Sequence, residues 1–170
     1  MLFRSADLVT NSNGFSNQAA NEMTAAIIAG HPEVTKWFVA ACVDDWAVGA
    51  TRAVEALNKA GDVLIVSDQA DAFLSQLDGG YTGNVYVAAN AVSTADLTGL
   101  CAANLVSILD GRATAATIWP DQKKAVEKYP CIYVKGTMLT KDTYKSWQKQ
   151  ESFDTKIASL GLKAGTVAGS

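Results

Sequence analysis

The sequence predicts an α/β fold, a parallel sheet with helices on both faces. Two observations carry that expectation. Short apolar runs alternate with stretches of helical period along the first half of the chain. Parallel strands need long crossover connections, and helices of this length supply them. Each apolar run is also followed at once by a polar loop. In open α/β sheets, ligands bind beyond the carboxyl ends of the strands.

Taken in order, Leu8-Val9-Thr10 is a short strand candidate, followed by the polar loop Asn11-Ser12-Asn13-Gly14. A helix over residues 16–29 places Ala19, Ala20, Met23, Ile27 and Ile28 on one face. Residues 37–42 read as a buried strand, and Asp44 and Asp45 stand where they cap the next helix. That helix runs to about Lys59, with Ala50, Ala53, Val54 and Leu57 inward. Val63-Leu64-Ile65-Val66 is a second buried strand, residues 70–77 a short helix, and Val85-Tyr86-Val87-Ala88 a third strand. A helix over residues 94–109 carries Leu97, Leu100, Cys101, Leu105 and Ile108 at helical spacing, and Gly111 is its stop. Trp119-Pro120-Asp121 signals a turn, Cys131-Ile132-Tyr133-Val134 a strand, and residues 141–150 a polar helix. The tail from Glu151 on reads as poorly ordered.

Composition narrows the function classes. The 170 residues are 49% apolar and 18% charged, with 14 basic and 17 acidic residues and a net charge of −3. That is a globular composition. Basic residues are scattered apart from Lys123-Lys124, so no footprint for nucleic acid exists. The longest apolar stretch, residues 37–43, is far below the roughly 20 residues of a membrane span, so no direct membrane insertion is expected. Met1 to Asp7 lacks the features of a secretory signal. Cys42, Cys101 and Cys131 are too widely spaced for a zinc site or disulfide framework, and read as packed thiols.

Catalytic constellations are missing, and the chain reads as a non-enzyme. The sole histidine, His31, lies in the turn Gly30-His31-Pro32-Glu33. There is no phosphate-cradling glycine loop and no dinucleotide fingerprint. Neither cofactor nor metal is expected; Asp44-Asp45 divides into a ligand contact and a solvated cap. The strand ends nominate four loops, at residues 11–15, 43–46, 67–70 and 89–93. Asn13, Asp44, Asp68 and Asn90 lie one on each. Carboxylates and amides suit polyhydroxyl ligands, since each engages more than one hydroxyl. Phe15 and Trp46 supply flat apolar faces for the carbon side of a sugar ring. The same residue types also serve as turn formers and helix caps, and both readings stand here.

The segment Gly30-His31-Pro32-Glu33-Val34-Thr35-Lys36-Trp37-Phe38-Val39, followed by Val43-Asp44-Asp45-Trp46-Ala47-Val48-Gly49-Ala50-Thr51-Arg52-Ala53, closely resembles bacterial sugar-binding proteins of the ribose, galactose and arabinose group. These type I periplasmic binding proteins are the substrate-binding components of ABC importers. Ile65-Val66-Ser67-Asp68-Gln69-Ala70-Asp71-Ala72 is similar to their next strand and ligand loop, and residues 137–144 to their closing strand and helix. The resemblance implies two lobes joined by three crossings, with sugar in the cleft. On matching positions, Asp44 is the family's aspartate that hydrogen-bonds sugar hydroxyls, and Asp68 its polar residue after the following strand. Asn13 falls in the first loop, and Asn90 near the hinge amide. Val43 stands where the family usually has asparagine, and Trp46 where it has a smaller side chain, so the resemblance does not name the sugar.

The resemblance also implies an organisation. Residues 1–88 correspond to the C-terminal lobe, 89–129 to a crossover belonging to the N-terminal lobe, 130–150 to a return, and 151–170 to a tail. The family's N-terminal lobe has no counterpart, so the apolar face of residues 94–109 is expected to lack its sheet. The implied function is binding of a monosaccharide or similar small polar solute, with an importer permease as partner and the periplasm as location. The alternative is the sugar-sensing effector domain of a LacI-like transcriptional regulator, which shares the two-lobed fold.

Overall fold

The computed structural model describes residues 16–114 and 135–151. The strand candidates at 8–10 and 131–134, the turn at 119–121, the tail from 152, Cys131, and the site candidates Asn13 and Phe15 lie outside the described residues. The chain divides into two compact units, Met1–Asn90 with Met138–Asp142 and Ala91–Thr137 with Thr143–Ser170.

The first unit is an α/β assembly in which β1, β2 and β3 run parallel. Its elements are α1 (Asn17–Gly30), β1 (Trp37–Ala41), α2 (Asp44–Ala56), β2 (Val63–Asp68), α3 (Asp71–Asp78), β3 (Tyr86–Ala91) and β4 (Thr137–Thr140). The strands form one sheet in the order β1-β2-β3-β4. β1 and β2 are parallel and in regular register from Trp37 opposite Val63 to Ala41 opposite Ser67. Their amino ends are fastened by Trp37 N–H donating to the Asp62 carbonyl at 2.8 Å and by a Lys36–Asp62 ion pair at 2.8 Å.

The helix boundaries follow from local chemistry. Ser16 caps α1, its Oγ accepting from the Ala19 N–H at 3.1 Å. α2 stops at Ala56 rather than near Lys59, because Asn58 takes a left-handed φ of 57°. Asn58 N–H then donates to the Glu55 carbonyl and Lys59 N–H to the Val54 carbonyl, a Schellman closure that satisfies the last carbonyls. The early stop swings Leu57 off the packed face, so it is exposed rather than inward. α1 lies close against α2 at Gly49, where an added Cβ would collide with the Asn17 carbonyl oxygen and meet Ala20 Cβ at 3.1 Å. Asn21 Nδ2 also donates to the Gly49 carbonyl.

The core lies between the sheet and α2 and α3. Val54, Val63, Ile65, Phe73, Val85, Tyr86 and Leu139 are almost wholly buried, and the Phe73 and Tyr86 rings meet with centroids 4.7 Å apart. The opposite face of β1 and β2 carries Phe38 and Leu64, which oppose each other in register and are each about half exposed (51% and 50%). Beside β4, Lys141 Nζ donates to the carbonyls of Thr82 and Gly83 and to Asn84 Oδ1.

In the second unit α4 (Thr94–Leu109) ends as expected at Gly111, with φ 68° and Arg112 N–H donating back to the Ser107 carbonyl. Leu97, Leu105, Val106, Ile108 and Leu109 are exposed along it. α5 (Tyr144–Glu151) is polar, and Ser93 Oγ donates to Glu151 Oε2 at 2.5 Å. The packed thiols expected at Cys42 and Cys101 are instead exposed. Cys42 sits one residue past the covered end of β1, and Cys101 belongs to the same open helix as Leu97 and Leu105. Among the described residues no helix is long and apolar enough to cross a membrane.

Candidate ligand-binding site

Three of the expected polar residues stand at the carboxyl ends of adjacent strands, in three different environments. Asp44 opens α2 and is buried. Its Oδ1 accepts from the Asp45 N–H at 3.0 Å, and its Oδ2 from the Ala72 N–H at 2.5 Å. One carboxylate therefore serves donors in the first turns of both α2 and α3, ends that favour negative charge. The N-cap residue of α2 is Val43, which offers no side-chain acceptor, so the carboxylate that meets these donors comes from Asp44 inside the first turn, whereas Asp45, expected as a solvated cap, is exposed and lends its carbonyl to Asn17 Nδ2 at 3.2 Å. Trp46 follows in the same turn and is partly buried.

Asp68 is the last residue of β2 and is exposed. Its Oδ1 accepts from Asn90 Nδ2 at 2.8 Å. Asn90 lies within β3 rather than in a loop after it. The pairing depends on an irregular register. Ile65 opposes Tyr86, but Val66 opposes Ala88, so β3 carries one surplus residue, Val87. A regular ladder from Ile65 would set Ala89 opposite Asp68 and turn Asn90 to the helix-covered face. Because side chains alternate with period two, the one-residue shift moves Asn90 onto Asp68's face. The pair leaves lone pairs on Asp68 Oδ2 and Asn90 Oδ1, which suit hydroxyl donors.

Beneath this rim runs a buried polar chain that sequence reasoning missed. Ser67 Oγ donates to the Gln69 carbonyl at 2.9 Å and lies 2.5 Å from Tyr86 Oη. Since the Ser67 hydroxyl has one proton and gives it to Gln69, the Tyr86 hydroxyl is the donor to Ser67. Burial pushes the Tyr86 phenol up, and the charges of Asp44 and Asp45 add to the shift. A sequence signal for this chain exists. Ser67 shares the inward parity of Val63 and Ile65, and a hydroxyl at such a position needs a buried partner.

Gln69 has φ 65°, a left-handed backbone. Its carbonyl points inward to Ser67 while the residue itself is exposed beside Asp68. Among the described residues no group of His, Cys, Asp and Glu is arranged to hold a metal ion. A shallow groove at the other end of β1, lined by Ile28, His31, Pro32, Val34, Leu57 and Lys59, gathers few polar groups. His31 there bonds Glu33 at 3.2 Å in the turn expected for it.

No protein-family model and no curated protein matches the chain. Solved structures do. An ABC-transporter solute-binding protein from Agrobacterium vitis with bound allitol aligns with a TM-score of 0.59 at 18% identity, covering 82% of this chain and 43% of that one. The periplasmic binding protein of the arabinose ABC transporter from Shewanella sp. ANA-3, bound to α- and β-L-arabinofuranose, gives 0.58 at 18% identity, covering 89% and 44%. The 5-methylthioribose transporter solute-binding protein from Thermotoga lettingae gives 0.54 at 16% identity, covering 89% and 42%. The chain thus spans less than half the length of these structures, and over that span it has the fold of the solute-binding proteins of sugar ABC transporters.

Proposed function

We propose that the chain contributes one wall of a binding site for a sugar or related polyol, as part of the substrate-binding component of an ABC importer. The observation that carries this reading is the Asp68–Asn90 pair, a carboxylate and an amide held 2.8 Å apart on the exposed ends of neighbouring parallel strands. Polyhydroxyl ligands are recognised by such bidentate groups, each accepting from or donating to adjacent hydroxyls. The fold likeness to proteins that bind allitol, arabinofuranose and 5-methylthioribose supports the ligand class. Asp44 belongs to the same wall and aligns its two helix starts, Trp46 offers an apolar face beside it, and Asn13 and Phe15 are further contacts proposed from the sequence. A permease partner and a periplasmic location go with this reading.

The test is a nuclear magnetic resonance titration of the 170-residue chain with a panel of pentoses, hexoses and pentitols. The expected result is saturable shifts at the Asp68 and Asn90 signals, with the weak affinity of a single wall, abolished by Asp68→Ala. Shifts absent from both residues across the whole panel would refute it. A regulator's effector domain would use the same groups. The coding sequence 5′ of Met1 separates the two, an export signal favouring import and a helix-turn-helix favouring regulation.

A further inference from the structure

A lysine ammonium carries three protons, and at Lys141 each finds its own oxygen. Its Nζ donates to the Thr82 carbonyl at 2.9 Å, to the Gly83 carbonyl, and to Asn84 Oδ1 at 3.1 Å. The Tyr81 ring centroid stands 5.5 Å from the same nitrogen, within the reach of cation–π attraction. Residues 81–84 thus surround one ammonium group with acceptors and an aromatic face.

The loop is braced without its guest. Tyr81 N–H donates to the Gln76 carbonyl of α3 at 2.9 Å, and the Tyr81 hydroxyl donates to Glu55 Oε1 of α2 at 3.1 Å. Gly83 passes so close to that ring that an added Cβ would collide with it. At the far end, the Val85 carbonyl accepts from the Ile65 N–H of β2 at 2.7 Å. None of these contacts involves Lys141, so the oxygens are set in place independently of it. Thr82 and Asn84 are exposed, which leaves the site open to small solutes.

What Lys141 brings with it is β4. Met138–Asp142 belongs to the first unit, whereas the chain on both sides of it belongs to the second. β4 stands at the end of the strand order and has four residues, of which only Leu139 is buried. Met138 is 56% exposed. An edge strand with one buried side chain gains little from packing, so the lysine is a principal hold on it.

We propose that residues 81–84 form a receptor for a primary ammonium group, filled in cis by Lys141, and that this plug straps β4 to the first unit. The proposal stands apart from polyol binding. Its ligand class is narrow, because the three oxygens need a compact cation with three donors. A quaternary ammonium has the charge and no donor, and a guanidinium spreads its donors in a plane.

The experiment follows amide signals and amide exchange in the 170-residue chain for wild type, Lys141→Ala and Lys141→Arg. Each is titrated with methylammonium and with tetramethylammonium at constant ionic strength. In Lys141→Ala the β4 amides that pair with β3 are expected to exchange about tenfold faster, as for one lost charged hydrogen bond, with Ile65 in β2 unchanged. Methylammonium is expected to give saturable shifts at Gly83 and Asn84 in Lys141→Ala but not in wild type, whose site is full. Tetramethylammonium should give them in neither. Lys141→Arg keeps the stem and the charge, so it reports even where the truncated side chain unfolds the chain; it too is expected to lose β4 protection. The proposal is overturned by β4 exchange in Lys141→Ala that matches wild type, or by an arginine that protects β4 as well as lysine does. Methylammonium shifts at Gly83 and Asn84 no larger than those of tetramethylammonium would overturn it as well.

Discussion

Asp44 carries the sharpest prediction, because its carboxylate has two backbone partners and little solvent. The residue is 5% exposed, with Oδ1 on the Asp45 N–H at 3.0 Å and Oδ2 on the Ala72 N–H at 2.5 Å. Asp44→Ala removes both acceptors. The donor at Asp45 is local, one residue along the chain and on an exposed residue, so its loss is worth about 1 kcal/mol, as for an ordinary hydrogen bond. The donor at Ala72 is part-buried and reaches 28 residues across the chain, and its loss is worth about 2 kcal/mol. The sum is about 3 kcal/mol, and Asp44→Asn, which keeps one acceptor, should lose about half of it. With a urea dependence of about 2 kcal/mol per molar, the unfolding midpoint of Asp44→Ala drops by about 1.5 M. Because the chain holds two units, the local readout is decisive. Amide exchange at Ala72 should accelerate about thirtyfold, the equivalent of the about 2 kcal/mol lost at that bond. An Asp44→Ala protein whose midpoint shifts by less than the equivalent of about 0.5 kcal/mol, with Ala72 exchange unchanged, would refute the double-cap account.

Gly49→Ala should destabilise by about 2–3 kcal/mol in the same urea experiment, since the new methyl group meets the Asn17 backbone rather than a side chain that could swing away. At the alkaline end, Tyr86 is protonated more firmly in the folded chain than its ordinary value of 10.0, so its contribution is intact below that pH and is lost as pH rises past it. Tyr86→Phe should flatten the fall in urea midpoint toward about pH 11, leaving the part due to Tyr81, whose phenol burial also raises. At the acid end, the Lys36 hydrogen bond and charge hold the Asp62 carboxyl below its ordinary value of 3.8. The stability it adds is present above that value and fades as pH falls below it, so Lys36→Met should make acid unfolding less steep, by a small amount because the pair is exposed.

The fold was legible because periodicity is a property of single segments. Trp37 to Ala41 and Val63 to Val66 are continuous apolar runs, and no tertiary knowledge is needed to see them, although β2 itself runs on through Ser67 and Asp68, which read as loop. What was not legible depends on neighbours. Asn58 ends α2 early because asparagine tolerates a left-handed backbone, a preference too weak to outweigh the apolar period through Leu57. Whether Asp44 or Asp45 turns inward depends on where α3 begins, since Asp44 takes the Ala72 N–H there. Asn90 reads as a loop residue because the surplus Val87 is invisible among alanines and appears only when β2 is laid beside β3. The strand-end placement of Asp44, Asp68 and Asn90 could be read from the chain, whereas the Asp68–Asn90 bond and the Tyr86–Ser67–Gln69 chain needed the register.

The three hydrogen bonds of Lys141 bear on how much change the molecule can tolerate. The lysine joins residues 57 to 59 positions apart, tying the residue after β4 to the stretch just before β3, so the two paired strands that flank the long excursion are fastened to each other. An excursion with anchored ends behaves as an insertion. The entropy of closing it grows only with the logarithm of its length, about 0.6 kcal/mol for each doubling. The first unit can therefore carry a connection of very different size between the same two strands. With the lysine in place, that stretch can lengthen, shorten or be exchanged for another while the strand ends bearing Asp68 and Asn90 stay where they are.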